Sequence, residues 1–353
     1  MTFLLFAAGL AGLIVGASLL VRGASALALS FGVSPLVVGL TIVAFGTSSP
    51  EVAVSVGAAL DGRTDIAIGN VVGSNIFNVL FILGVSALIA PLIVHVQLIR
   101  QEVPIMIAVS VLLALLVMDG TLSRLDAALL FGLIVAYTVF LIVQSRRQSK
   151  ADADALSAEV PKAAAWDRHW AMQVLLVAVG LGLLVIGSDW LVTAAVTFAR
   201  QLGVSDVVIG LTIVAAGTSM PEVATSITAA IKGERDIAVG NVVGSNTFNI
   251  LGCLGLSGLV SANGLPVAPS ILNFDLWVML AVAAACVPVF LTGREIARWE
   301  GAVFVGYYAA YTAYLILAAQ QHDALPRFSQ AMLWFVIPLT VATLIASLLR
   351  RRA

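Results

Sequence analysis

One stretch of this chain is written twice, and the spacing of the copies restricts the fold more than any other feature. Residues 37–84 read VVGLTIVAFGTSSPEVAVSVGAALDGRTDIAIGNVVGSNIFNVLFILG, and residues 208–255 read VIGLTIVAAGTSMPEVATSITAAIKGERDIAVGNVVGSNTFNILGCLG. Every aligned pair is 171 residues apart without a gap, and 33 of the 48 pairs are identical. Both copies are strongly apolar, yet each carries one acid inside an apolar segment at the matching position, Glu51 and Glu222.

What surrounds the copies is also apolar. Charged residues make up 10% of the chain, against about 25% in a soluble domain, and a transmembrane helix needs roughly 20 consecutive apolar residues. Segments of that kind fall at 3–29, 35–60, 66–91, 103–119 and 125–143, then at 171–199, 206–231, 237–262, 274–291 and 300–319, with one more at 331–349. The chain therefore divides into a five-helix half at 1–143, a polar cytoplasmic linker at 144–170, a second five-helix half at 171–319 and an extra C-terminal helix within 320–353. The first segment lacks a basic leader and an A-x-A-like cleavage site, so it is expected to be a retained span and not a signal peptide. With the N-terminus outside, fourteen of the 18 Lys and Arg fall in inner loops or the C-terminus and four outside, which favours N-out and C-in by the positive-inside rule.

Five spans per half is an odd number, so the second copy must enter the membrane from the opposite side. The expected fold class is an all-α polytopic membrane protein of two inverted-topology repeats plus an eleventh helix. Repeats of this kind place substrate near the bilayer midplane between the halves and support alternating access.

Two elements in each copy carry chemistry. In GTSSPE (46–51) and GTSMPE (217–222), a proline interrupts the span. Proline lacks an N–H and clashes with the carbonyl four residues earlier, which frees the carbonyls of Gly46 and Gly217. A broken helix in lipid is tolerated only where it is buried in protein or lines a wet cavity. Thr47 and Glu51 are four residues apart and Ser48 and Glu51 three, so these hydroxyls and the carboxylate are expected to share one helical face, as are Thr218, Ser219 and Glu222. In GNVVGSNIFN (69–78) and GNVVGSNTFN (240–249), Asn70, Ser74 and Asn78 recur every four residues, as do Asn241, Ser245 and Asn249. Carbonyl, hydroxyl, amide and carboxylate oxygens together make a hard-cation ligand set. The GxxxG at Gly69 and Gly73 lets helices approach closely.

A glutamate at mid-membrane costs about 2.5–3.5 kcal/mol on an insertion scale, so its retention twice points to a site. Asn70, Asn75, Asn241 and Asn246 are open to two roles, ligand or interhelical hydrogen bonding. Cys253 and Cys286 are read as small core thiols, Asp189 as outside the site, and His95, His169 and His322 as interfacial residues. Two ionised glutamates are balanced by one Ca²⁺, two Na⁺ or two protons, which makes these cations mutually exclusive; Mg²⁺ fits less well because it dehydrates reluctantly. The net charge of -1 with scattered basic residues gives no support for nucleic-acid binding, and the absence of HExxH, GxSxG and a paired Asp gives none for an enzyme.

The paired GTSxPE and GNVVGSNxFN motifs resemble the alpha-repeats of the cation/calcium exchanger superfamily, most closely its prokaryotic sodium/calcium exchangers. The resemblance covers nearly the whole chain to residue 319. It implies ten core helices in two inverted halves, and an antiporter exchanging Ca²⁺ for Na⁺, with Ca²⁺/H⁺ exchange at the same glutamates as the alternative and a passive cation channel as a different class. It also implies calcium ligation by Glu51 and Glu222, sodium ligation by the hydroxyls of Thr47, Ser48, Ser74, Thr218, Ser219 and Ser245, backbone carbonyl ligands at Ala44 and Ala215, and a central amide at Asn78. The chain departs from the pattern at Asn249, where some relatives have Asp, and in its eleventh span. Its linker has no room for a large calcium-sensing domain. The expected setting is the plasma membrane of a bacterium, with the lipid bilayer and the transported cations as partners, no cofactor, and a monomer sufficient for transport.

Overall fold

A computed structural model describes residues 2–31, 33–159, 169–202 and 215–350. Among them, the membrane-crossing helices are α1 (Thr2–Phe31), a broken span of α2 (Pro35–Thr47) and α3 (Ser49–Leu60), α4 (Thr64–Ile89), α5 (Leu98–Leu116) and α6 (Arg124–Glu159). The second half holds α7 (Trp170–Gln201), the short α8 (Ala215–Gly217) followed by α9 (Met220–Ile231), α10 (Arg235–Val260), α11 (Ile271–Leu291) and α12 (Arg298–Ala319). The extra helix is α13 (Leu325–Ile345). The expected span at 206–231 is described from residue 215 onward; its earlier part lies outside the described residues. Helix α6 runs on to Glu159, so residues 144–159 of the polar stretch are helical.

Local sequence explains the breaks. Ser34 caps α2 by accepting the Val37 amide at 3.2 Å, with Pro35 at the first helical position, where its missing N–H is harmless. α3 and α9 both end in a Schellman turn: Arg63 and Glu234 amides reach back to the carbonyls of Ala58 and Ala229, at 2.8 and 2.9 Å. The residues that make this turn, Gly62 and Gly233, have φ of +74° and +81°, which a side chain would strain.

The inversion shows in how the loops pair. Four two-residue strands, β1 (Leu92–Ile93), β2 (Thr121–Leu122), β3 (Leu265–Pro266) and β4 (Glu295–Ile296), tie the halves together. β1, after α4, pairs antiparallel with β4, after α11; β2, after α5, pairs with β3, after α10. Each pairing joins loops that lie on one membrane face only if the second half is inverted relative to the first.

At the centre stand α4 and α10. All of the apolar window of α10 is buried and 72% of that of α4, as expected of spans that carry polar stripes which must not face lipid. α1 packs along α7 through glycines matched by the repeat. A Cβ on Gly187 would sit 2.9 Å from the carbonyl oxygen of Gly9, and one on Gly180 2.8 Å from that of Gly16. The partners are backbone and cannot yield, so Gly187→Leu is expected to lower stability by about 1–3 kcal/mol or more through overpacking. Thermal melting followed by size-exclusion checks this, with Gly182→Ala as the control, since no described atom lies within 4 Å of a Cβ there. No residue in the apolar window of α13 is fully buried. Between it, α11 and α12 runs a groove of about 810 Å³, almost entirely apolar and distinct from the polar centre.

Candidate functional site

Both interrupted spans break one residue before the helix that holds the acid. Ser48 has φ -79° and ψ 9°, and Ser219 φ -87° and ψ 9°, each in a turn. Pro50 and Pro221 then start α3 and α9, which places Glu51 and Glu222 in the first helical turn. Unpaired amides and the positive end of the helix dipole favour a carboxylate there. The first broken span is bent by 45°.

The break redirects the hydroxyls. The shared helical face expected for Thr47, Ser48 and Glu51 does not form, because Ser48 leaves the helix. Instead each serine serves the other repeat. Ser48 Oγ donates to Glu222 Oε1 at 2.9 Å, and Ser219 Oγ donates to Glu51 Oε1 at 2.7 Å. The threonines do likewise: Thr47 Oγ1 donates to Asn241 Oδ1 at 3.1 Å and Thr218 Oγ1 to Asn70 Oδ1 at 3.4 Å. Ser219 also reaches Ser74 Oγ at 3.3 Å. Asn70 and Asn241 donate in turn to Ser55 and Ser226, both at 3.0 Å. The two stripes therefore face one another: these bonds join Thr47, Ser48 and Glu51 of the first repeat, with Ser74, to Thr218, Ser219 and Glu222 of the second, and Ser245, Asn78 and Asn249 are buried further along the stripes.

Asn75 and Asn246 are interhelical ties. Each donates to the other's backbone carbonyl, at 3.2 and 3.3 Å, and each touches a methionine sulfur, Met279 for Asn75 and Met106 for Asn246. Their side-chain oxygens accept from Asn249 and Asn78, at 3.2 and 3.0 Å. Directly after Asn78 and Asn249, both helices widen into a π-turn, Asn78–Leu83 and Asn249–Leu254, a feature frequent at functional sites. The Ala44 carbonyl accepts the Ser48 amide at 3.1 Å and the Thr47 hydroxyl at 3.4 Å. Ala215 opens α8.

Both glutamates are completely buried. Their Oε2 atoms have no hydrogen-bond partner among the described residues, and neither do Asn78 Oδ1 and Ser245 Oγ. Buried polar atoms are almost always paired. Carboxylate, amide and hydroxyl oxygens are the ligand types that a hard cation takes. No cluster of three or more His, Cys, Asp or Glu occurs among the described residues. Two acids with neutral oxygens hold a cation less strongly than an acid-rich cage does, which suits an ion that must also leave.

The two matched ends of the site differ in exposure among the described residues, which do not include 203–214, the segment aligned with the part of α2 that covers Gly240 and Gly244. Thr47, Gly240, Asn241 and Gly244 are buried, whereas their matched counterparts Thr218, Gly69, Asn70 and Gly73 are partly exposed. A Cβ on Gly244 would lie 2.8 Å from Leu40 Cα, so α2 and α10 touch backbone to backbone there.

Two participants were not legible beforehand. Ser188 donates to the carbonyl freed by Pro221, Gly217 O, at 2.7 Å; Ala17 occupies the matching place in the first repeat. Cys253 proves to lie against Asn249, with Sγ 3.6 Å from Oδ1. Asp189 is exposed, as are the three histidines.

A multi-pass membrane protein of two inverted five-helix repeats, closed around a buried pair of carboxylates with hydroxyl and amide groups beside them, has the architecture of a secondary transporter. The chain matches the family model described as "Sodium/calcium exchanger protein" over residues 1–143 and 172–317, and it belongs to that family of cation-exchange antiporters. It is 39% identical over 218 residues to the inner membrane protein YrbG of Escherichia coli K12, covering 61% of this chain and 66% of that one. It is 36% identical over 279 residues to the sodium/calcium exchanger MaX1 of Methanosarcina acetivorans, covering 70% and 79%. Among solved structures, the sodium-calcium exchanger NCX_Mj soaked with Na⁺ and Ca²⁺ superposes with a TM-score of 0.75 at 30% identity, covering 88% of this chain and 97% of that one.

Proposed function

We propose that this antiporter exchanges Ca²⁺ for Na⁺ by alternating access, with the ions held between Glu51 and Glu222. The observation that carries this is the cross-bonded pair of glutamates, each fixed through one oxygen by the other repeat's serine and each left with an unpaired second oxygen. One Ca²⁺ or two Na⁺ balance the two charges, so either cargo excludes the other. Ser74, Asn78, Ser245 and Asn249, with Thr47 and Thr218 beyond the serines, supply neutral oxygens that Na⁺ uses and a proton does not need. The carbonyls of Ala44 and Ala215 are proposed as further ligands. The N-terminus lies outside and the C-terminus inside. The protein works in this reading in the bacterial plasma membrane, without a resident cofactor, and one chain suffices.

The test is Ca²⁺ uptake into proteoliposomes loaded with Na⁺, with pH clamped by a proton ionophore. Uptake that needs the Na⁺ gradient and saturates with Ca²⁺ is expected. Uptake driven by a pH gradient and indifferent to Na⁺ would mean Ca²⁺/H⁺ exchange, and flux that ignores the ion on the far side would mean a channel. Ser48→Ala and Ser219→Ala are expected to raise the half-saturating Ca²⁺ by similar factors, about tenfold or more, since hydrogen bonds to charged groups contribute about 1.5–3 kcal/mol. An effect confined to one of them would contradict the crossed arrangement.

A further inference from the structure

The repeats match closely, but the centre of the site is not symmetric. Asn78 and Asn249 occupy equivalent positions, 171 residues apart, and both are buried. Their amide nitrogens are used alike, each donating to the asparagine of the opposite stripe, at 3.0 and 3.2 Å. Their oxygens are not. Asn78 Oδ1 has no partner among the described residues, whereas Asn249 Oδ1 lies 3.6 Å from the thiol of Cys253, one turn further along α10. The residue matching Cys253 in the first repeat is Ile82, which has no donor to offer.

We infer that Cys253 is a positioning residue that sets the ligand geometry of the ion site: its thiol engages the Asn249 oxygen, so of the two central amides Asn78 offers the stronger ligand and Asn249 the weaker one. This rests on the antiport reading above. A thiol is a weak donor, but Cys253 is wholly buried, so water does not compete for the bond. The thiol and an arriving cation draw on the same oxygen, and a hydrogen-bonded oxygen is the poorer ligand. The freely available Asn78 oxygen is satisfied only when a cation arrives. Cys253 thereby weakens cation binding on the second-repeat side and keeps the cargo closer to the first repeat.

The experiment is a double-mutant cycle on half-saturating Ca²⁺ in proteoliposomes, with size-exclusion profiles confirming that each variant folds. Asn78→Ala is expected to raise the value about tenfold and Asn249→Ala by about threefold or less. Cys253→Ala releases the Asn249 oxygen and is expected to lower the value about two- to fivefold, a gain that disappears in Asn249→Ala/Cys253→Ala. Cys253→Ser, which restores a donor at the same place, is expected to reverse that gain. Equal losses from Asn78→Ala and Asn249→Ala, or a Cys253→Ala effect that persists without Asn249, would overturn the role of Cys253 while leaving the antiport reading intact. Absence of saturable Ca²⁺ uptake by the unsubstituted protein would overturn both.

Discussion

Glu51→Gln and Glu222→Gln, made singly, are each expected to abolish Na⁺-driven Ca²⁺ uptake while leaving the protein folded. Glutamine keeps the shape and an oxygen for the serine hydroxyl but removes half the negative charge facing the cation. At an effective dielectric of 20 and a separation of 4 Å, one charge pair is worth about 4 kcal/mol, and a divalent ion counts double before desolvation is subtracted. A loss of about 4 kcal/mol alone weakens Ca²⁺ binding by roughly a thousandfold. Both substitutions are expected to abolish uptake, because each glutamate is held by the opposite repeat's serine and carries half of the charge that balances the cation. Stability moves the other way. Each variant removes a buried charge that lacks a partner on its second oxygen, so in ion-free buffer it is expected to melt no lower than the unsubstituted protein. The rise in melting temperature that Ca²⁺ gives the unsubstituted protein by mass action is expected to vanish in both. Transport within tenfold of the original in either variant would remove that glutamate from the site.

The elements that could be read from the sequence are those set by local chemistry or by the duplication itself. Apolar length located the spans; Pro50 and Pro221 located the breaks; the matched glutamates and the polar stripes located the site. What escaped depends on residues far apart in the chain. A hydroxyl at Ser48 has no local signal directing it to Glu222, 174 residues away; the fixed spacing suggested instead a face shared with Glu51, and only the turn at Ser48 shows why that fails. Ser188 reaches the Gly217 carbonyl from a different span, and in sequence it is one more small residue beside Asp189. The two acid–tyrosine pairs that brace the halves were equally silent: Tyr137 donates to the buried Glu102, and Tyr311 donates to Asp275 at 2.8 Å. Each pair joins the start of one span to the middle of the next, about ten turns of helix apart along the chain. The π-turns after Asn78 and Asn249 have no residue signature of their own.

Under the proposed exchange of two Na⁺ for one Ca²⁺, Asn249→Asp is expected to convert transport indifferent to membrane potential into transport driven by it. With two carboxylates, two Na⁺ against one Ca²⁺ moves no net charge, so the Ca²⁺ gradient reached at equilibrium is expected to be independent of voltage in the unsubstituted protein. A third carboxylate makes room for a third Na⁺, and each turnover then carries one net charge. At about 2.3 kcal/mol per charge per 100 mV, the equilibrium Ca²⁺ gradient shifts roughly fiftyfold per 100 mV. The change is conditional on pH, and the hydrogen bonding gives its direction. Asn249 Nδ2 donates to Asn75 Oδ1 at 3.2 Å. A protonated aspartic acid preserves that bond through its O–H, so at low pH the variant behaves as the unsubstituted protein does. Deprotonation sets two oxygens against each other and supplies the third charge, so as pH rises the variant gains Ca²⁺ affinity, about tenfold or more for a favourable interaction of about 1.4 kcal/mol, and voltage dependence appears with it. Ca²⁺ uptake measured at fixed K⁺–valinomycin potentials across a pH series reads both. A variant whose voltage response matches that of the unsubstituted protein at every pH would show that the charge at position 249 does not set the number of ions exchanged.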